Sequence, residues 1–488
     1  MIEQLYKMTI DYIDSMPKNI RKKYGQFFTN LNTAKYMASL FDLNKLDDTI
    51  SILDPGAGTG ILSCALLERI NKEKKVKNIK LICYENDKNV LPLLEQNLNR
   101  IKNAFDFNLD YVIKNEDYLL KQNFNEHDQK YDLIIGNPPY KKILAKSKEA
   151  LHLKSVCYGA PNLYFLFLAM SINNMDNSSE LVYIIPRSWT SGAYFEKFRD
   201  YMLTNSVLDK IHLFVSRKGV FKSENVLQET IIIHLSKNKC NQKYVQIYSS
   251  IADSDIFDSA VKKIPYNMVV SKENYIFLPT NDREVDTLKK VSKMTSTLIN
   301  NDTKMKTGLV VDFRNRDMLF EKSNNKNVPL VYSQNINKGR IVFPIKDKPN
   351  YVSDEKNGLI QKNSNYLIVK RFSSKEETRR LQCGILLKTD FEKYEYISTQ
   401  NKVNFITGIN HELSNEEVYG LFVIFNSTIY DNYYRILNGS TQVNSSEVNK
   451  MPIPNSEIII KMGKDLIKSN ILSTENCDRI LEEYLWVK

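Results

Sequence analysis

The chain has 488 residues, with 68 Lys+Arg against 57 Asp+Glu and a formal charge of +11 at pH 7. That length exceeds one ordinary hydrophobic core and calls for two domains, and the basic excess suits a polyanionic partner without establishing one. No uninterrupted stretch approaches the roughly eighteen apolar residues of a membrane span, and six scattered cysteines without a C-x-x-C pair or a histidine at ligand spacing lead us to expect a reduced, cytoplasmic protein with no metal.

Residues 1–30 carry Asp11, Asp14 and Arg21-Lys22-Lys23 where a signal peptide would be apolar, so none is expected. From Ser51 to about Leu235 short β-branched runs alternate with longer helical stretches. Strands are predicted near 51–53, 80–84, 111–114, 131–135, 181–185, 211–215 and 228–234, the last two as an antiparallel pair. This is the pattern of an α/β, mostly parallel seven-stranded Rossmann-like sheet with helices on both faces. After Lys237 the sequence turns polar, and a boundary is expected between 240 and 290, dividing the chain into 1–255 and 256–488. The second half reads as mixed α+β, its clearest helix running from Ser414 to Leu437 with Asn410 or Ser414 as cap.

Asp54-Pro55-Gly56-Ala57-Gly58-Thr59-Gly60 lies between a strand and a helix. Glycines there let the backbone approach a ligand, and either that or a tight turn needing φ > 0 explains them. The spacing differs from the dinucleotide fingerprint, and the acid at the strand end suits a cationic ligand better than a pyrophosphate, which points to S-adenosylmethionine. Glu85 ends the next strand, where a carboxylate accepts from ribose hydroxyls, and Asp117 follows the third, within reach of an adenine amino group. Either acid alone reads more readily as a solvated loop residue. At successive strand ends they form a set.

Asn137-Pro138-Pro139-Tyr140 follows the apolar run Tyr131–Gly136. An exocyclic amino group on a base is a poor nucleophile because its lone pair is delocalised into the ring. An amide oxygen from Asn137 and the carbonyl of Pro138 each accept one N–H, which favours a pyramidal nitrogen. The prolines stiffen the loop, and Tyr140 offers a flat face for the base. The motif suits transfer of a methyl group to a planar amine.

In this order these motifs resemble the gamma-group N6-adenine DNA methyltransferases of type II restriction-modification systems. The resemblance implies a methyltransferase sheet in which Gly25-Gln26-Phe27-Phe28-Thr29 closes over the methionine end of the cofactor through Gln26, Phe28 and Thr29. It also implies that Asp54, Gly56, Gly58, Gly60, Glu85, Asp117 and Asn137 bind S-adenosylmethionine, and that Asn137, Pro138, Pro139 and Tyr140 are catalytic. Pro161 to Leu168 looks like the helix lining the pocket, and Glu180 to Trp189 like the next strand and loop. Phe221 stands where such enzymes place a second aromatic against a flipped base, and asparagine at the first motif position goes with adenine over cytosine N4.

Segments 366–376 and 439–444, with Met451-Pro452-Ile453-Pro454, resemble those of a target-recognition domain. Lys370, Arg371, Lys375, Arg379 and Arg380 then form a basic cluster able to hold the phosphates of double-stranded DNA, or an ordinary solvated face. The expected function is protection of host DNA beside a separate restriction endonuclease. Three other readings remain. One is methylation of a release-factor glutamine, whose enzymes are much shorter. Another is a ribosomal RNA adenine methyltransferase, and the third a DNA-binding specificity module with an inert catalytic half.

Overall fold

Among the described residues, nine strands, not seven, make up the sheet of the first half. The computed structural model describes residues 1–15, 29–124, 129–214, 229–237, 242–374 and 376–485. The strands are β1 (Thr49–Asp54), β2 (Asn78–Tyr84), β3 (Asn108–Lys114), β4 (Tyr131–Gly136), β5 (Met175–Pro186), β6 (Val207–Phe214), β7 (Thr230–Ser236), β8 (Tyr244–Ser250) and β9 (Ala260–Pro265). Their spatial order is β3-β2-β1-β4-β5-β7-β6-β8-β9. β1 to β5 run parallel. β7 is antiparallel to both β5 and β6, as expected for the last predicted pair. β8 and β9 correct the strand count: β8 joins β6 in parallel, and β9 returns antiparallel beside it.

The parallel strands are apolar on both faces because helices cover both. Ile52, Leu133, Ile135, Val182 and Ile184 join residues of the helices Leu31–Ser39, Ile61–Glu73 and Leu91–Lys102 in one core. Their strand neighbours Leu53, Ile134, Leu181 and Tyr183 are also buried and point the other way, as the two-residue strand period requires. On that side helix Leu163–Asn173 packs against β5.

The chain divides into two units, Met1–Thr190 with Tyr194–Thr280, and Ser191–Ala193 with Asn281–Lys488. The expected division at 255/256 falls too early, because β9 and the segment after it complete the first unit. The second unit holds a six-stranded and a five-stranded sheet, followed by a series of helices. The single helix expected from Ser414 to Leu437 is two, Asn415–Asn426 and Thr428–Leu437. Ser427 separates them: its backbone is extended (φ −78°, ψ 152°) and its hydroxyl caps the second by accepting from the Tyr430 N–H. Among the described residues no helix is long and apolar enough to cross a membrane.

Candidate active site

β1 is flanked by β2 on one side and β4 on the other, so the strand order reverses there. Such a switch point leaves a crevice beyond the carboxyl ends of the strands. A cavity of about 330 Å³ occupies it, lined among others by Gly56, Gly58, Glu85, Asp117 and Asn137. The glycine turn is docked on the sheet, the Ala57 N–H donating to the Tyr84 carbonyl at 3.0 Å and the Gly60 N–H to the Ala57 carbonyl at 2.7 Å. Gly60 sits at φ +81°, and a Cβ there would come within 2.6 Å of Leu94 Cδ1. That position requires glycine on both counts.

Glu85 is held from both sides. Oε2 accepts from the Gly58 N–H at 2.7 Å and Oε1 from the Asp87 N–H at 2.8 Å, which locks the carboxylate to the turn. Each oxygen keeps a further lone pair for a ligand hydroxyl. Burial pushes its pKa up, against those two backbone bonds. Asp117 caps the short helix Tyr118–Lys121, accepting from the Leu120 N–H at 3.1 Å, and also lines the cavity. Asp54 lies differently from expectation. It is wholly buried, it is not among the residues lining the cavity, and its Oδ2 accepts from Ser63 Oγ at 2.7 Å. Its carboxylate is therefore set behind the turn and not in the cavity wall.

Asn137, Pro138, Pro139 and Tyr140 leave the end of β4 at the cavity, with Asn137 and Pro139 in its wall. A Cβ on Gly56 would stand 3.9 Å from the Asn137 carbonyl oxygen and from the Phe167 ring, so the glycine turn and the polar loop face each other across a narrow gap. Asn137 Nδ2 donates to Thr29 Oγ1 at 3.1 Å, which brings the end of the Gly25–Thr29 segment to the site. Tyr140 is half-buried, its hydroxyl donating to the Ile184 carbonyl at 3.0 Å and its ring meeting Tyr164 edge-on at 6.3 Å. Leu163 and Phe167 of the helix after Pro161 complete the cavity wall.

Sequence reasoning passed over several wall residues: Tyr118, Lys141, Ile143 and Glu149. Tyr118 was legible as the residue after Asp117; Lys141 and Ile143 stand on the loop following Tyr140, and Glu149 on the short helix Lys148–His152 after it. Gln26, Phe28, Phe221 and Lys375 lie outside the described residues.

In the second unit the basic cluster does not form one accessible face. Arg380 is wholly buried, its Nε donating to Ser373 Oγ at 3.2 Å and its NH2 to the Ser440 carbonyl at 2.8 Å. Arg379 donates to the carbonyls of Phe425 and Ser427 at the end of a helix. Lys370 pairs with Glu377 at 2.8 Å, and Arg371 donates to the Asn401 carbonyl at 3.0 Å, both partly exposed. Arg380 is thus removed from any phosphate contact, and Arg379 is committed to packing.

A reversed β7 set between the parallel strands β5 and β6, with a ligand cavity at the β1/β4 switch point, is the arrangement of the α/β methyltransferases. The cavity fits S-adenosylmethionine: a glycine-lined gap that a Cβ would narrow, a fixed carboxylate at Glu85 and a second acid at Asp117 match the ligand's hydroxyls and amines. The chain belongs to the Eco57I restriction-modification methylase family, whose family model matches residues 21–221. It is 34% identical over 460 residues to Type II methyltransferase M.PstI of Providencia stuartii, covering 91% of this chain and 89% of that protein. It is 33% identical over 492 residues to Type II methyltransferase M.BsuBI of Bacillus subtilis, covering 97% and 96%. Among solved structures, the Type ISP restriction-modification enzyme LlaGI, a nuclease-deletion mutant in complex with a DNA substrate mimic, shares the fold. The TM-score is 0.54 at 12% identity, over 91% of this chain and 47% of that one. The chain is accordingly a restriction-modification DNA methyltransferase, with S-adenosylmethionine as its methyl donor.

Proposed function

We propose that the enzyme methylates N6 of an adenine swung out of duplex DNA. The observation that carries this reading is the Asn137–Tyr140 loop at the end of β4, in the wall of the cofactor cavity. The Asn137 side-chain oxygen and the Pro138 carbonyl accept the two amino hydrogens, so the nitrogen lone pair is freed from the ring and turned away from both acceptors. S-adenosylmethionine, when bound, supplies the methyl group on a sulfonium. Gly56, Gly58, Glu85 and Asp117 hold it, with Gln26, Phe28 and Thr29 at its methionine end and Asp54 behind the turn.

N6 lies inside the base stack, so the nucleotide must leave it to reach such a cavity. Stacking on Tyr140, with Phe221 on the opposite face, offsets part of that cost at on the order of 1–3 kcal/mol per aromatic. The second unit selects the target sequence, and of its basic cluster the partly exposed Lys370 and Arg371 support contact with phosphates. The modification protects host DNA from a cognate endonuclease. Asn137→Ala abolishes methyl transfer while leaving S-adenosylmethionine binding measurable by calorimetry. Chromosomal DNA from an expressing host carries modified adenines, and duplex DNA is preferred over structured RNA. An active Asn137→Ala variant, or modified cytosine in that DNA, overturns the reading.

A further inference from the structure

The loop that follows Tyr140 is built for display. Its stem is zipped to the segment before helix Leu163–Asn173: the Ile143 N–H donates to the Pro161 carbonyl and the Leu163 N–H to the Lys141 carbonyl, both at 2.8 Å. A turn follows, the Ser147 N–H donating to the Leu144 carbonyl at 3.0 Å, and Ser147 then caps the helix Lys148–His152. Ala150, Leu153 and Val156 are buried beneath it. The tip is therefore held by its own hydrogen bonds and core contacts.

What the tip presents is unusual. Leu144 is 79% exposed, the most exposed large hydrophobic among the described residues, and it directly follows Ile143, which lines the cofactor cavity. An isolated exposed leucine needs no explanation. This one is surrounded in sequence by Lys142, Lys146, Lys148 and Lys154, all exposed and, among the described residues, none paired with a carboxylate. Four unneutralised cations around an apolar tip match one occupant: a polyanion whose interior is apolar. Duplex nucleic acid has phosphates outside and stacked bases within, and apolar side chains are known to enter opened base steps.

We infer that this loop is a DNA-opening element, in which Lys142, Lys146 and Lys148 grip backbone phosphates beside the target and Leu144 enters the stack vacated by the extruded base. The inference rests on the base-flipping reading above. Tritiated S-adenosylmethionine and an oligonucleotide duplex carrying the mapped target provide the test.

Leu144→Ala lowers kcat/KM on the paired duplex about tenfold and regains most of it when the target base is mispaired, since an unpaired base needs less help to leave the stack. A Lys142→Ala, Lys146→Ala, Lys148→Ala variant raises KM with kcat kept. Its dependence of log KM on log salt is shallower by about 2–3, on the basis of roughly 0.9 per lost phosphate contact. An unchanged rate for Leu144→Ala, a loss that mispairing does not relieve, or an unaltered salt slope overturns the proposal. The adenine reading fails separately, in the unmodified enzyme, which would then mark another base; both loop variants would be compared on that base.

Discussion

The Tyr140 hydroxyl donates to the main-chain carbonyl of Ile184 at 3.0 Å, fastening the end of the Asn-Pro-Pro-Tyr loop to the C-terminal end of β5. The bond fixes the plane of the ring, and Tyr164, itself sharing a hydrogen bond with Ser188 at 3.0 Å, braces its edge. The tyrosine therefore contributes both an anchor and a face. Tyr140→Phe keeps the face and loses one hydrogen bond, a net effect of about 1 kcal/mol, so kcat/KM falls less than tenfold. Tyr140→Ala loses the face too, and kcat/KM falls by a further factor of about 5–150 if stacking contributes about 1–3 kcal/mol. Methyl-transfer kinetics distinguish the two; equal damage from both variants would assign the effect to the hydroxyl.

Gly60→Ala places a Cβ at φ +81° and 2.6 Å from Leu94 Cδ1, and Leu94 is fully buried. The backbone penalty alone is about 1–2 kcal/mol, and the displaced leucine adds to it. Gly159 is the control: its φ is +59°, and an added Cβ meets nothing within 4 Å. Gly60→Ala is expected to lower the urea midpoint more than Gly159→Ala at unchanged m, and to weaken S-adenosylmethionine binding, which Gly159→Ala leaves intact. Equal midpoints would show that the Leu94 contact is relieved without cost.

Arg380 acts as a buried strut for the segments around Ser373 and Ser440. Removing a buried cation with its hydrogen bonds leaves the Ser440 carbonyl and Ser373 hydroxyl without a donor, and Arg380→Ala is expected to cost about 2–4 kcal/mol in denaturant unfolding. No phosphate contact is lost, so the salt dependence of DNA binding keeps its slope. A shallower slope would return Arg380 to the DNA surface.

β1, β2 and β4 to β7 were legible because strands largely buried on both faces write themselves as near-continuous apolar runs, and β3, at the other edge, showed through the short run Tyr111-Val112-Ile113. β9 was not, since at the sheet edge only Ile264 of its six residues is fully buried. The helix break at Ser427 was hidden by apolar periodicity that continues from Phe425 to Ile429; a lone serine in that run was the available signal. At the site, Glu85 and Asp117 could be read from their strand-end positions. Asp54 occupies the same kind of position, yet sequence cannot say on which side of a turn a carboxylate falls, and Ser63 claims it from behind. Charge in the 370–380 segment was legible. Exposure was not, and Arg380 lost its predicted role for that reason.

Asp54 also sets a pH dependence. Its carboxyl is pushed up to about 7, chiefly by burial, with the Ser63 hydroxyl working in the opposite direction. In the unfolded chain it titrates near 4, so between about pH 4 and 7 the folded state holds a proton that the unfolded state has released. The protonated group's contribution to stability is therefore full below about pH 4 and is lost as pH rises through 7, by a few kcal/mol at most in the cofactor-free protein. Asp54→Asn keeps a neutral side chain of similar shape and flattens that slope. Binding a cation nearby favours the ionised form. S-adenosylmethionine affinity accordingly rises with pH through about 7, with release of a proton that calorimetry in buffers of different ionisation enthalpy detects. In Asp54→Asn the released proton and the pH dependence both disappear; if they persist unchanged, another group titrates with the cofactor and Asp54 serves only to tie the turn to Ser63.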